Sequence, residues 1–328
     1  MNCRIRLDEF DIMKGFAMLS VIVSHIYFEP FLSLYHVPMF FFVAGFFFKP
    51  KDSIELLKNN CEQLLLPYIK VGCIILLCYL LIFGKSYANV YVQNLLLGTT
   101  ISNSLHISIG PIWFLLTLFW VRTIYNFFYF NPMSIIILTS ILTGGCIVIG
   151  QHFNWLNIPY MIVQSIPAMF FYSFGHLVKQ RNLLRCKIRN MDLLIPLSFF
   201  AIILSFFEVS RGGVNISMMK IQFYPWSFIN AMVIIYLFWR LANFMKERRC
   251  IATRFVKFCG EKSLDLLLCH SCAFCILLPL FQTAMKSLET TFVKAIFLGF
   301  NILFNIAICV IYAFIKQRLT RKSIHLKN

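Results

Sequence analysis

The chain has 328 residues, of which 59% are hydrophobic and only 13% charged, whereas a typical soluble domain has roughly 45–50% and 25%. This excludes a soluble globule and indicates a polytopic helical membrane protein, because the apolar residues fall in separate runs of about 20, each enough to cross a hydrocarbon core. Thirty Lys and Arg outnumber thirteen Asp and Glu, for a net charge of +17; these bases cluster in short loops between the apolar runs, which reads as membrane topology and not as a nucleic-acid surface.

In chain order, spans are expected at Phe10–Phe28, Val37–Phe48, Leu64–Gly84, Pro111–Phe130, Met133–Gly150, Tyr160–Val178, Met191–Val209, Phe223–Ala242, Ser263–Phe281 and Val293–Ile315. About ten helices in an all-α transmembrane bundle leave no room for a separate soluble domain, so residues 1–328 are expected to form one integral-membrane domain. Val37–Phe48 is short for an upright crossing and should extend into its flanks or sit where the bilayer thins. No small-residue cleavage site follows the first apolar run, so the first helix is expected to be retained. Placing both termini in the cytoplasm puts Lys179, Arg181, Arg185, Lys187 and Arg189 inside, with Lys246, Arg248, Arg249, Arg254, Lys257, Lys262 and the tail bases. Lys85, Arg211, Lys220, Lys286 and Lys294 then oppose the positive-inside rule. The outer loop Lys85–Gly110 has the alternation of an interfacial helix. The twelve cysteines show no disulfide spacing; Cys269, Cys272 and Cys275, three apart along one apolar face, read as packing residues, and no metal is expected.

Ionisable groups inside spans cost roughly 2.5–3.5 kcal/mol each on insertion scales and point to a polar cavity or a partner. Asp11 and Lys14 are neighbours at i,i+3. His25, eleven residues beyond Lys14, returns to the same face after three turns and a rise of about 16 Å. A histidine there is either a general base or a hydrogen-bond partner for a neighbouring helix. Glu29 would fix its tautomer, or would face water beside Pro30. His36 would join His25 in one site or lie at the interface. Asp265 and His270 form a polar seam in the late helix, or Asp265 reaches the interface. Glu208 would hold a sugar hydroxyl or pair with Arg211. No phosphate loop, zinc-protease motif or nucleophile elbow is present, which disfavours a nucleotide-driven pump.

The opening Arg6-Leu7-Asp8-Glu9-Phe10-Asp11-Ile12-Met13-Lys14-Gly15-Phe16-Ala17, with His25 following, resembles the start of the membrane acyltransferase-3 family. The run His36 to Phe48 is similar to that family's second helix, Pro111-Ile112-Trp113-Phe114-Leu115 to its Trp-Phe-Leu helix, and Ser263 to His270 to its late Ser-Leu-to-His segment. The short bacterial branch described as fucose 4-O-acetylase-like looks nearest. The resemblance implies a single integral-membrane acyltransferase domain in the bacterial cytoplasmic (inner) membrane. It further implies transfer of an acyl group, usually acetyl from acetyl-CoA, to a hydroxyl of a surface polysaccharide or lipid-linked sugar. By matching position His25 takes the catalytic role and Lys14 the partnered basic role; Glu29, four residues on, is the expected second catalytic residue beside His25. The chain departs from the family before the proline of the third helix: in Lys58 to Pro67 only Lys58 is basic and Glu62 is acidic, so Lys58 and Lys70 are the remaining local candidates for the CoA phosphates. His36, Trp113 and Asp11 are expected at the substrate, with the Trp113 N–H or His36 as oxyanion donor. The partners implied are acyl-CoA, a glycan acceptor, the lipid bilayer and glycan-assembly proteins, with no nucleic acid. The rival readings are a non-enzymatic flippase or exporter of polysaccharide intermediates, and a family member that acts only as an assembly partner.

Overall fold

The computed structural model describes residues 7–27, 30–99, 107–129, 131–155, 158–185, 191–210, 213–248, 250–286 and 291–325. Each expected span coincides with a helix. α1 (Asp8–Tyr27) leads into a short α2 (Pro30–Ser33) and then α3 (His36–Phe46). α4 (Ser53–Asn60) starts where the Asp52 carboxylate accepts from the amides of Ile54 and Glu55 at 3.0 and 3.2 Å, satisfying two of the orphan donors of a helix start. It continues through a π-type turn at Cys61–Leu65 into α5 (Leu66–Cys78) and a second such turn at Tyr79–Phe83. α6 (Lys85–Leu97) occupies the outer loop but folds back on α5: Tyr68 Oη donates to Leu95 O at 2.6 Å. Then come α7 (Trp113–Phe127), α8 (Pro132–Ile149), α9 (Ser165–Gln180) and α10 (Met191–Ser210). A two-stranded hairpin, β1 (Val214–Asn215) and β2 (Lys220–Ile221), precedes α11 (Trp226–Arg248), α12 (Ile251–Glu261), α13 (Ser263–Lys286) and α14 (Thr291–His325).

Among the described residues six helices are long and apolar enough to cross a membrane: Ser53–Phe83, Pro132–Ile149, Pro159–Gln180, Leu193–Ser210, Trp226–Arg248 and Val293–Leu319. The other expected spans are the shorter apolar stretches Phe31–Phe46 and Ser263–Leu277, the 15-residue α7, and α1, which carries Asp11, Lys14 and His25 along its length. The second span gains its length from its amino-terminal flank, through α2. All-helical construction follows from the medium, since every backbone polar group in hydrocarbon must be paired within its own segment.

Glycines set the closest helix approaches. A side chain at Gly45 on α3 would run into the backbone of Tyr172 on α9, and one at Gly175 on α9 into the backbone of Phe42. Gly15 on α1 meets the Val256 backbone of α12, and Gly260 on α12 meets Asp11. Small residues of this kind let backbones touch where lipid offers no hydrophobic drive to association. One end of the bundle collects ion pairs: Lys257–Asp8 at 2.7 Å, Lys246–Glu9 at 2.9 Å and Lys316–Asp265. Lys179 also lies at this end, where it donates to Phe48 O at 3.2 Å. The start of α1 and the last turns of α14 therefore share this basic end. The hairpin, α2 and residues 107–112 lie at the opposite, distal end.

Candidate active site

A cavity of about 1300 Å³ runs between the two ends. α1 lines it with Lys14, Met18, Val21 and His25, the i, i+4, i+7, i+11 stripe of one helix face. α3 repeats the pattern with His36, Phe40, Val43 and, just beyond its end, Phe47. The α7 wall does so again, from Pro111 through Leu115 and Leu118 to Arg122, and α13 closes the ring with Ser263, Leu267 and Phe274. Because Lys14 and His25 both line it, the cavity extends at least about 16 Å along α1. Its volume exceeds the roughly 300–1,000 Å³ of common single-ligand pockets.

At the basic end Lys14 Nζ lies 2.7 Å from Asp11 Oδ1, the i,i+3 pair expected from spacing. Asp11 is buried beside Gly260 and does not itself line the cavity, so it supports Lys14 and is displaced from the substrate-contacting place expected of it. Lys58 and Lys70 are both exposed, and neither lines the cavity. On a helix, only one face can meet the cavity, and α4–α5 turns Glu62, Gln63, Leu64 and Pro67 toward it. The guanidinium that does line this end is Arg122 of α7. It was missed by sequence reasoning, although its place eleven residues after Pro111 carries the same periodic signal as Lys14 and His25.

Toward the distal end, His25 Nδ1 lies 3.2 Å from Nε2 of His270 on α13, one nitrogen donating and the other accepting. The rings are 5.3 Å apart, and Phe274 meets the His25 ring at 5.1 Å. His270 is fully buried, and its Nδ1 has no hydrogen-bond partner. Asp265 pairs instead with Lys316, so Asp265 and His270 belong to separate sites and not to one seam. Glu29 lies outside the described residues. His36 lines the cavity with His25, and its Nδ1–H donates to Leu32 O at 2.5 Å. A carbonyl only accepts, so neutral His36 carries its proton on Nδ1 and presents Nε2 as an acceptor. Trp113 lines the same region. Glu208 does not: it is buried between α10 and α11, where Asn230 Nδ2 donates to its Oε2 at 3.1 Å, and Arg211 lies outside the described residues.

By fold and site, then, this is an integral membrane protein built around a cavity with cations at one end and paired imidazoles toward the other. A family model for an acyltransferase domain, that of the acyltransferase-3 type, matches residues 7–316, and the chain belongs to that family of membrane acyltransferases. No curated protein and no solved structure matches it.

Proposed function

We propose that the protein moves an acyl group, acetyl above all, from acyl-CoA to a hydroxyl of a surface polysaccharide or lipid-linked sugar, with His25 as the general base. One observation carries this reading: a single cavity joins Lys14 and Arg122 to His25. The basic end is taken as cytoplasmic by the positive-inside rule, in the bacterial inner membrane. There Lys14 and Arg122 meet the CoA phosphates, and the thioester arm extends along the α1 stripe.

In this reading the His25–His270 pair orients the His25 ring. With His25 Nδ1–H donating to His270 Nε2, the remaining His25 nitrogen, Nε2, has a free lone pair. It takes the proton of the acceptor hydroxyl as that oxygen attacks the thioester carbonyl. Collapse of the tetrahedral intermediate breaks the C–S bond, and the proton passes from Nε2 to the departing thiolate. Because His36 presents an acceptor, the Trp113 indole N–H is the better oxyanion donor of the two, and His36 Nε2 is suited to accept from the sugar.

The test is purified protein in lipid nanodiscs with labelled acetyl-CoA and candidate glycans. Label should move to the glycan, and His25→Ala should slow transfer by about 10²–10⁴-fold. A flippase would leave the label on CoA, and unchanged turnover in His25→Ala would remove His25 from the chemistry.

A further inference from the structure

The two halves of the cavity differ in charge. Lys14, Glu62 and Arg122 lie at the basic end, while the described polar lining of the distal half includes Ser24, Ser33, His36, Ser108, Asn215 and Ser217. Neither carboxylate, ammonium nor guanidinium occurs among those six, and neutral His36 offers Nε2 as an acceptor. The hairpin forms the rim. Its turn is set in advance: Asn215 Oδ1 accepts from Ser217 Oγ at 2.7 Å and from Met218 N at 3.1 Å, and Gln164 Nε2 donates to Ser217 O at 3.4 Å. The Asn215 Nδ2 donors are not used by that turn. Lys220 pairs with Asn215 across the ladder but does not line the cavity.

We propose that the distal half is the acceptor subsite and that it takes an uncharged sugar, held through its hydroxyls by the β1–β2 turn, α2 and His36. The inference rests on the acyl-transfer reading above and adds the acceptor class. A sugar hydroxyl both donates and accepts, which matches serine hydroxyls, an asparagine amide and a neutral imidazole. A uronate entering the same space would lose its water without meeting a cation among the described lining residues. The sugar also enters from the end opposite the CoA phosphates, so its hydroxyl and the thioester converge at His25.

The experiment follows acetyl transfer by the full-length protein in nanodiscs from labelled acetyl-CoA to neutral oligosaccharides and to uronate oligosaccharides. Transfer to the neutral set is expected. Asn215→Asp and Ser33→Ala should each raise the acceptor KM roughly 3- to 10-fold with the acetyl-CoA KM unchanged. Asn215→Asp keeps the oxygen that holds Ser217 and Met218, so the turn persists, and Ser33 reports from a separate element. Lys220→Ala should leave the neutral acceptor KM at its starting value. Preference for uronates, with the acceptor KM raised in Lys220→Ala, overturns the uncharged class. Unaltered acceptor KM in both Asn215→Asp and Ser33→Ala overturns the subsite, as does His25-dependent CoA release with no neutral sugar acetylated. If acetyl-CoA is not consumed with any probe, the acyl-transfer reading fails, and the subsite fails with it.

Discussion

His270 and Arg122 are the residues whose meaning changes most between sequence and structure. His270 touches His25 but does not itself line the cavity, so in the proposed chemistry its effect runs through the tautomer of its partner. His270→Ala should lower kcat about tenfold while the KM for acetyl-CoA stays constant. His270→Gln, whose side-chain oxygen can still accept from His25 Nδ1–H, should recover much of the loss. Equal kcat in the two variants would reduce His270 to a packing role. Arg122 makes a different prediction, because it sits at the charged mouth with Lys14 and Glu62. Arg122→Ala should raise the acetyl-CoA KM about tenfold. On the proposed donor site Glu62→Gln removes a charge opposed to CoA phosphates and should lower it. Isotope-release assays at varied donor concentration measure both.

At the scale of elements, the helical stripes of α1, α3 and α7 form much of the cavity wall, with α13 closing it. α3 is pressed against α9 through Gly45 and Gly175, while its opposite side presents His36, Phe40 and Val43 to the cavity. The sequence places small residues Ala44 and Gly45 together, but the structure separates their work: Gly45 meets Tyr172, and Ala44 faces the cavity. Gly45→Val has no flexible neighbour to displace, only the Tyr172 backbone, so it should cost about 1–3 kcal/mol or more. A lower melting temperature in detergent by intrinsic fluorescence is the expected result. Ala44→Gly should leave that temperature within a few degrees of the parent, since a cavity-facing methyl is not clamped between backbones.

For the whole molecule, the gathering of Lys246, Lys257, Lys316 and Lys179 at one end gives the bundle a charged face. It also brings the start of α1 and the last turns of α14 to the same side. If that side is cytoplasmic, a fluorescent protein fused after Asn328 should be bright, whereas alkaline phosphatase fused there should be inactive. Phosphatase inserted beside Lys220 in the hairpin should be active. The opposite pattern would invert the entry sides proposed for CoA and sugar. The hydropathy pattern located the ten apolar helices but not α2, α4 or α12, and among the described residues only six meet the length and apolarity of a crossing by themselves. α1 and α7 belong to the cavity wall, and wall-forming helices can carry Lys14, His25 and Arg122 because those groups face the cavity and not lipid.

The amino-acid sequence by itself determined the helices and the shared face of Lys14 and His25, since both follow from local rules: backbone pairing within hydrocarbon and a period of 3.6 residues. It also pointed to the family through the residues around that face. Only the tertiary structure decided what lies opposite. The contact of His25 with His270 spans 245 positions, and that Arg122 lines the cavity while Lys58 and Lys70 do not depends on how α7 and α4–α5 are rotated about their axes. Hydrophobicity cannot set those rotations, because an apolar face in a bilayer is equally content against lipid tails or against another helix. Glycine contacts and buried polar pairs set them instead, and they form between residues far apart in the chain.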